Sequence, residues 1–404
     1  MKNFGIKLSL FLIYFVFAAL LNSVGILVER SQEVYDVLKP DAANLELFKD
    51  LSIAFVSFLI GSFLPKLGYK KGMLISLGLV FFGCLWMYYA NSFWAVKILF
   101  ACTGMAFAVV KVAVYALIGY VTDGKDDHSK LTSLIETVFM TGIIFMFLVF
   151  PLFFSDTDKD AWLRGYLLMA GIIAIAFIII LFSKFEIEVE QKSTSIGEDI
   201  LQMARLFKNP LVYIFAGFAF FYVMTEQGIM TWLPTFNKET LSISPKLATQ
   251  MAVLLMISFA VGRFITGLTV KKIKWIYIAV GGVILAAALV LLVLPMAKNV
   301  TVTNIDTIGN LPLVSFLFPL IGLFLAPLYP LVSSRVLSAV DKVNHSALAG
   351  ILTFFSAIGG VFGSLIIGNL FDTLGGDKVF YLSLIPLVII LLSLLAINKL
   401  TAKA

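Results

Sequence analysis

The chain has 404 residues, of which 60% are hydrophobic and only 13% charged, with a mean hydropathy of +1.01 and a formal net charge of +6. A soluble domain carries about 25% charged residues and breaks its apolar runs every turn or two, so water is excluded as the main solvent. The basic residues sit in short loops between apolar runs rather than in a stripe with interleaved aromatics, which excludes nucleic acid and leaves membrane topology as the meaning of the charge.

A bilayer core of about 30 Å is crossed by about 20 apolar residues in a helix. The first such run, near 8–28, follows Lys2 and Lys7; it is too long for the apolar part of a secretion signal and lacks a small-residue cleavage site. It is therefore read as the first span. Further runs lie near 47–65, 73–90, 95–121, 131–154 and 164–183, then near 211–236, 247–270, 274–296, 311–334, 346–371 and 378–397. Lipid cannot satisfy open backbone polar groups, so each run is predicted to be a helix. Glu29, Arg30 and Lys97 lie at span ends and are expected to snorkel to the interface. Cys84 and Cys102 sit inside apolar runs without metal-ligand spacing, so neither a disulfide, a metal nor a cofactor is implied.

The longest polar interruption, Ser183 to Pro210, divides the runs six and six. The predicted fold is an all-α membrane protein of twelve transmembrane helices in two six-helix bundles. Residues 1–183 form the first bundle, 184–210 a cytoplasmic linker and 211–404 the second bundle. If both termini share a side, that side holds eighteen of the 30 Lys and Arg residues and the other nine. Lys97, Lys111 and Arg263 complete the 30 from within spans. The excess places termini and linker in the cytoplasm of a multi-pass protein of the cytoplasmic (inner) membrane.

An internal repeat supports two halves. Gly61, Phe63, Lys70 and Lys71 after the second span recur as Gly262, Phe264, Lys271 and Lys272 after the eighth, all at one offset of 201 residues. The glycines would let helices approach, and the lysines would hold each turn against lipid phosphates. Gly61, Lys70, Lys71, Gly262 and Arg263 are accordingly expected to have gating or structural roles.

The stretch from Gly61 through Pro65, Gly68, Tyr69, Lys70 and Lys71 to Gly72 resembles the loop motif of the major facilitator superfamily, in the form found in its fucose–galactose–glucose proton symporters. Tyr222-Val223-Met224-Thr225-Glu226-Gln227, Gly262-Arg263-Phe264-Ile265-Thr266-Gly267, and the Gly359-Gly360, Gly363 and Gly368 to Asp372 series are similar to the same symporters in type and position. The resemblance implies the major facilitator fold, a monomer, and proton-driven uptake of a sugar. Departures from the pattern are specific. The first-span carboxylate is missing from Leu21-Asn22-Ser23-Val24-Gly25, Lys111 stands in span four where a carboxylate is expected, and Glu136 occupies a common Gln position.

Ionisable groups inside a bilayer cost at least about 2.5–3.5 kcal/mol, so each needs a partner, a wet cavity or a task. Lys111, Glu136, Glu226 and Arg263 are the four inside spans. Lys111, flanked by valines, lies about 15 Å deep and Glu136 about 7 Å deep, within reach of the lysine stem. They are expected to pair, either as a structural salt bridge or as a pair whose partners change during transport. Glu226 follows Tyr222 by one turn and is followed by Gln227, Gly228, Trp232 and Pro234, in a helix expected to bend or unwind there. Arg263 is read chiefly as a bridge between helix ends, and alternatively as an anion ligand. The expected substrate-contact residues are Asn22, Lys111, Tyr115, Tyr222, Glu226, Gln227 and Trp232.

The two histidines, His128 and His345, are placed in cytoplasmic loops, which leaves Glu136 and Glu226 as the proton-coupling groups. The leading function is therefore proton-coupled uptake of a sugar or similar small polar solute by alternating access. The rival is an organic or inorganic anion transporter or exchanger with Lys111 as its positive site. A receptor or structural role lacks an extramembrane domain to act through, and the absence of catalytic motifs excludes an enzyme.

Overall fold

The computed structural model describes residues 4–24, 27, 31, 34–37, 39–153, 155, 157–185, 205–298, 300 and 305–402. The linker residues 186–204 and the proposed snorkelling pair Glu29 and Arg30 lie outside these residues, as does the side chain of Asp372.

Twelve long helices run through the described residues. The first six are α1 (Phe4–Asn22), α2 (Lys39–Leu67), α3 (Tyr69–Ala90), α4 (Phe93–Val121), α5 (Lys125–Val149) and α6 (Arg164–Phe182). The second six are α7 (Pro210–Thr235), α8 (Pro245–Thr269), α9 (Trp275–Ala297), α10 (Val314–Ser338), α11 (His345–Leu374) and α12 (Leu384–Thr401). All but α2 contain a window long and apolar enough to cross a bilayer. α2 begins two turns before its predicted apolar run, so Glu46, Lys49 and Asp50 are helical. Large apolar side chains such as Phe82, Ile175, Ile284 and Leu392 stay exposed, as the lipid-facing surface of a membrane protein requires.

Local chemistry sets the helix ends. Ser92 caps α4 by accepting a bond from the Ala95 amide at 3.2 Å, and Asn209 caps α7 through the Leu211 amide at 3.0 Å with Pro210 following. The turn between α2 and α3 rests on Gly68, whose φ of 89° suits glycine. α5 starts at Lys125, earlier than its apolar run, because Asp126 and Asp127 complement the helix dipole in the first turn. His128 is thus helical and 3% exposed, and His345, the first residue of α11, is 2% exposed. This corrects the placement of both imidazoles in solvated loops. α10 is interrupted by a 3₁₀ turn over Phe318–Leu320 and again before Leu328, where Pro319 and Pro327 remove helix donors. α7 continues as α-helix through Gly228, contrary to the expected break, and yields to a π-helical turn, Phe236–Thr240, only after Pro234.

The chain divides into two compact units: unit 1 is residues 1–123, 138–208 and 340–354, and unit 2 is residues 124–137, 209–339 and 355–404. In unit 1, α4 packs on α1, α2 and α3, while α6 packs on α1 and α3. In unit 2, α10 packs on α7, α8 and α9, while α12 packs on α7 and α9. The pairing pattern of α1–α4 and α6 therefore recurs in α7–α10 and α12.

Glycines set the closest crossings. A Cβ added to Gly359 or Gly363 of α11 would fall on the carbonyl oxygens of Phe220 and Met224 of α7, so these two helices meet backbone to backbone. Gly363→Val is expected to lower stability by about 1–3 kcal/mol through overpacking. The thermal transition of the detergent-purified protein should fall accordingly, and an unchanged transition would contradict this crossing.

Candidate functional site

Unit 2 brings Glu136 and Glu226 to the guanidinium of Arg263. Arg263 of α8 is 2% exposed, and its Nη1 lies 3.2 Å from Oε2 of Glu136 on α5. Its Nη2 donates to Oε1 of Glu226 on α7 at 2.9 Å, and the Tyr222 hydroxyl donates to the same oxygen at 3.2 Å. Tyr222 and Glu226 are four residues apart, so one face of α7 presents both. The Arg263 guanidinium also lies 5.5 Å from the Phe259 ring, one turn back on its own helix.

Glu136 has an ion-pair partner that the sequence reading did not anticipate, Arg263. Within unit 1 the Lys111 ammonium lies 5.8 Å from the Phe107 ring. A guanidinium forks and can reach two carboxylates at once. Arg263, read from the sequence mainly as a helix-end bridge, is the centre of the cluster.

An aromatic wall stands beside these charges. Tyr222 stacks on Phe218 with centroids 5.8 Å apart and faces Tyr329 of α10 at 5.4 Å. The Tyr329 hydroxyl meets Ser356 Oγ of α11 at 3.2 Å. Tyr329 and Ser356 were not singled out from the sequence, because a lone Tyr and a lone Ser in apolar runs carry no local signal.

Gln227 packs its stem towards Gly360, about 100° around α7 from Glu226. Trp232 donates from Nε1 to the Ser364 carbonyl at 2.9 Å and stacks on Phe371 at 5.7 Å, which makes it a packing residue between α7 and α11. Asn22, Lys111 and Tyr115 belong to unit 1. There Asn22 donates to the Ala18 carbonyl of its own helix at 2.9 Å, and Tyr115 is fully buried. Lys111 adjoins a ring cluster in which Phe107 lies 6.2 Å from Tyr14 and 5.8 Å from Phe139.

The repeat residues are structural in the described contacts. Lys70 donates to the carbonyls of Leu181 and Ser183, both at 2.8 Å, and so caps the C-terminal end of α6. That is a protein partner where lipid phosphate was expected. Lys71 is exposed and Gly61 is buried in α2. A Cβ on Gly262 would lie 2.6 Å from the Leu323 carbonyl oxygen, so this glycine lets α8 approach α10.

Comparison with known proteins agrees with this architecture. Residues 51–305 match the sequence profile of the Major Facilitator Superfamily, and the chain belongs to that superfamily. With eleven candidate spans among the described residues it is a multi-pass membrane protein. It is similar to the multidrug transporter protein MdtP of Bacillus subtilis (strain 168), at 26% identity over 240 residues, or 59% of this chain. That match spans 40% of the relative's length. The fold is shared with FucP, the Escherichia coli fucose:proton symporter, at a TM-score of 0.80 and 15% identity over 98% of this chain and 99% of that one. It is also shared with the human organic anion transporter MFSD10, at a TM-score of 0.75 and 15% identity over 96% of this chain and 98% of that one.

Proposed function

We propose that this transporter takes up a sugar or similar small polar solute with protons, by alternating access, as a monomer in the cytoplasmic membrane. Residues 1–183 and 211–404 would be the halves that move, joined by 184–210, with linker and termini on the cytoplasmic side where the basic residues concentrate.

The observation that carries proton coupling is the sharing of one guanidinium by two carboxylates, with all three side chains at most 12% exposed. Two buried carboxylates that share one guanidinium compete for it, so the one held less tightly can take up a proton. A proton on Glu226 would leave Arg263 to Glu136 and free Glu226 and Tyr222 to bond substrate hydroxyls. The rings of Tyr222 and Tyr329 would cover the flat apolar faces of a sugar. A fucose:proton symporter among the structural neighbours supports the same reading.

A second reading, anion transport, rests on Lys111, whose ammonium stands over an aromatic face. An organic anion transporter shares the fold. Arg263 is ion-paired to two carboxylates, but its Nε and Nη1 make no hydrogen bond among the described residues.

Uptake by proteoliposomes of the full chain, with an imposed inward proton gradient and a panel of sugars, polyols, organic acids and lipophilic cations, separates the readings. Accumulation of a neutral polyol that collapses with protonophore is expected. Accumulation of an acid that is lost in Lys111→Gln would establish the second reading instead.

A further inference from the structure

Glu136 can couple protons to transport only if it exchanges them with water, and α5 carries more polar side chains than the charge cluster uses. His128, Thr132 and Glu136 recur every four residues and so share one face of α5, with Ser129 and Ser133 alongside. All five are buried: His128 3% exposed, Ser129 1%, Thr132 and Ser133 0%, and Glu136 5%. Beyond Glu136 the buried positions turn apolar, with Met140 and Ile143. The row therefore leads to Glu136 and stops.

The neighbouring helices extend this polarity. The His128 Nδ1 lies 2.8 Å from Ser334 Oγ of α10, which lies 2.7 Å from Ser129 Oγ. Thr132 Oγ1 donates to the His128 carbonyl at 2.8 Å and lies 3.4 Å from the same imidazole nitrogen. Ser333 of α10 and Thr266 of α8 are buried too, and Gly267 of α8 lets Ser133 approach. At the outer end of the row a cleft of about 550 Å³ is lined by Gly124, Lys125, Asp126, Asp127, Lys271 and Arg335. Lys271 closes on Asp127 at 2.6 Å there. The charged groups of this cleft are thus Lys125, Asp126 and Asp127 on α5, within one turn of His128, with Lys271 after α8 and Arg335 on α10.

We propose that His128 is the port through which Glu136 exchanges protons with water in this cleft. Glu136 gives its proton through one water to the Thr132 hydroxyl, which turns from the His128 carbonyl to give its own proton to the imidazole, and the imidazolium so formed releases a proton to cleft water. One proton moves, the hydroxyl is unchanged and the ring returns to neutral. Imidazole is the side chain suited to this step near neutral pH, and a hydroxyl both donates and accepts. Thr132 lies about 6 Å along the helix from each neighbour in the row, a gap that a side chain and one water span. Ser334 and Ser129 act as positioning residues that hold the ring. The inference rests on Glu136 as the proton-exchanging group.

The test is a pH jump on full-length protein in proteoliposomes oriented with the Lys125 and Lys271 face outward, followed by the infrared carboxyl stretch. Glu136→Gln identifies the Glu136 band. His128→Ala and His128→Gln are both expected to slow that band by at least about tenfold without moving its midpoint. Imidazole in the buffer should restore the rate in His128→Ala. A band at the wild-type rate in either variant would overturn the port. A wild type with no Glu136 band would overturn the coupling reading and the port with it.

Discussion

Arg263→Gln is expected to abolish gradient-driven accumulation and to lower thermal stability more than any other single change in the transmembrane region. The substitution removes the one cation between Glu136 and Glu226 and leaves two buried carboxylates facing the space it occupied. Breaking a buried ion pair by deleting one partner costs about 3–5 kcal/mol, because the remaining charge stays desolvated. A buried carboxylate pair is worse than a single one, so the purified variant should show a depressed melting transition. Adding Glu136→Gln and Glu226→Gln should recover part of that stability, since the triple variant no longer buries two carboxylates without the guanidinium between them. It should not recover accumulation, because both proposed proton carriers are gone. Wild-type melting and uptake in Arg263→Gln would mean that the cluster is neither an electrostatic anchor nor a coupling site.

The two carboxylates are expected to fail differently. Glu136 touches Arg263 and lies at the end of the polar row on α5, so Glu136→Gln should lose accumulation against a gradient yet retain solute exchange, which needs no net proton release. Glu226 also accepts the Tyr222 hydroxyl beside the aromatic wall, so Glu226→Gln should weaken solute binding as well. A hydrogen bond to a charged group is worth about 1.5–3 kcal/mol, which corresponds to roughly ten- to hundredfold in affinity. Parallel measurements of counterflow, accumulation and binding distinguish the roles. Identical behaviour of the two variants in all three would contradict the division.

Most of the fold was legible because lipid narrows the choices. A run of about 20 apolar residues must be a helix, and a loop rich in Lys and Arg must stay on one side. The errors came where local polarity and tertiary partnership decide the outcome. The run from Lys125 to Lys130 reads as a loop by hydropathy, yet Asp126 and Asp127 make it a good first helical turn and bury His128. The spacing of His128, Thr132 and Glu136 was visible in the sequence, but meant little until that turn was known to be helical. The α10 interruptions follow its prolines, whereas Gly228 leaves α7 intact because close packing on α11 needs it. That Arg263 is an ion-pair partner of Glu136 could not be read from local spacing, because Arg263 lies far along the chain and only folding brings its guanidinium to 3.2 Å.

The central claim is that the Glu136, Arg263 and Glu226 cluster moves a proton with the solute, and proton movement during solute entry tests it most directly. Proteoliposomes loaded with a pH-sensitive dye, with no imposed gradient, would receive the solute identified by the uptake panel. The lumen should acidify as solute enters through the wild type and stay at constant pH in Glu136→Gln under the same solute gradient. Solute entry through the wild type with no change in lumenal pH would contradict the account.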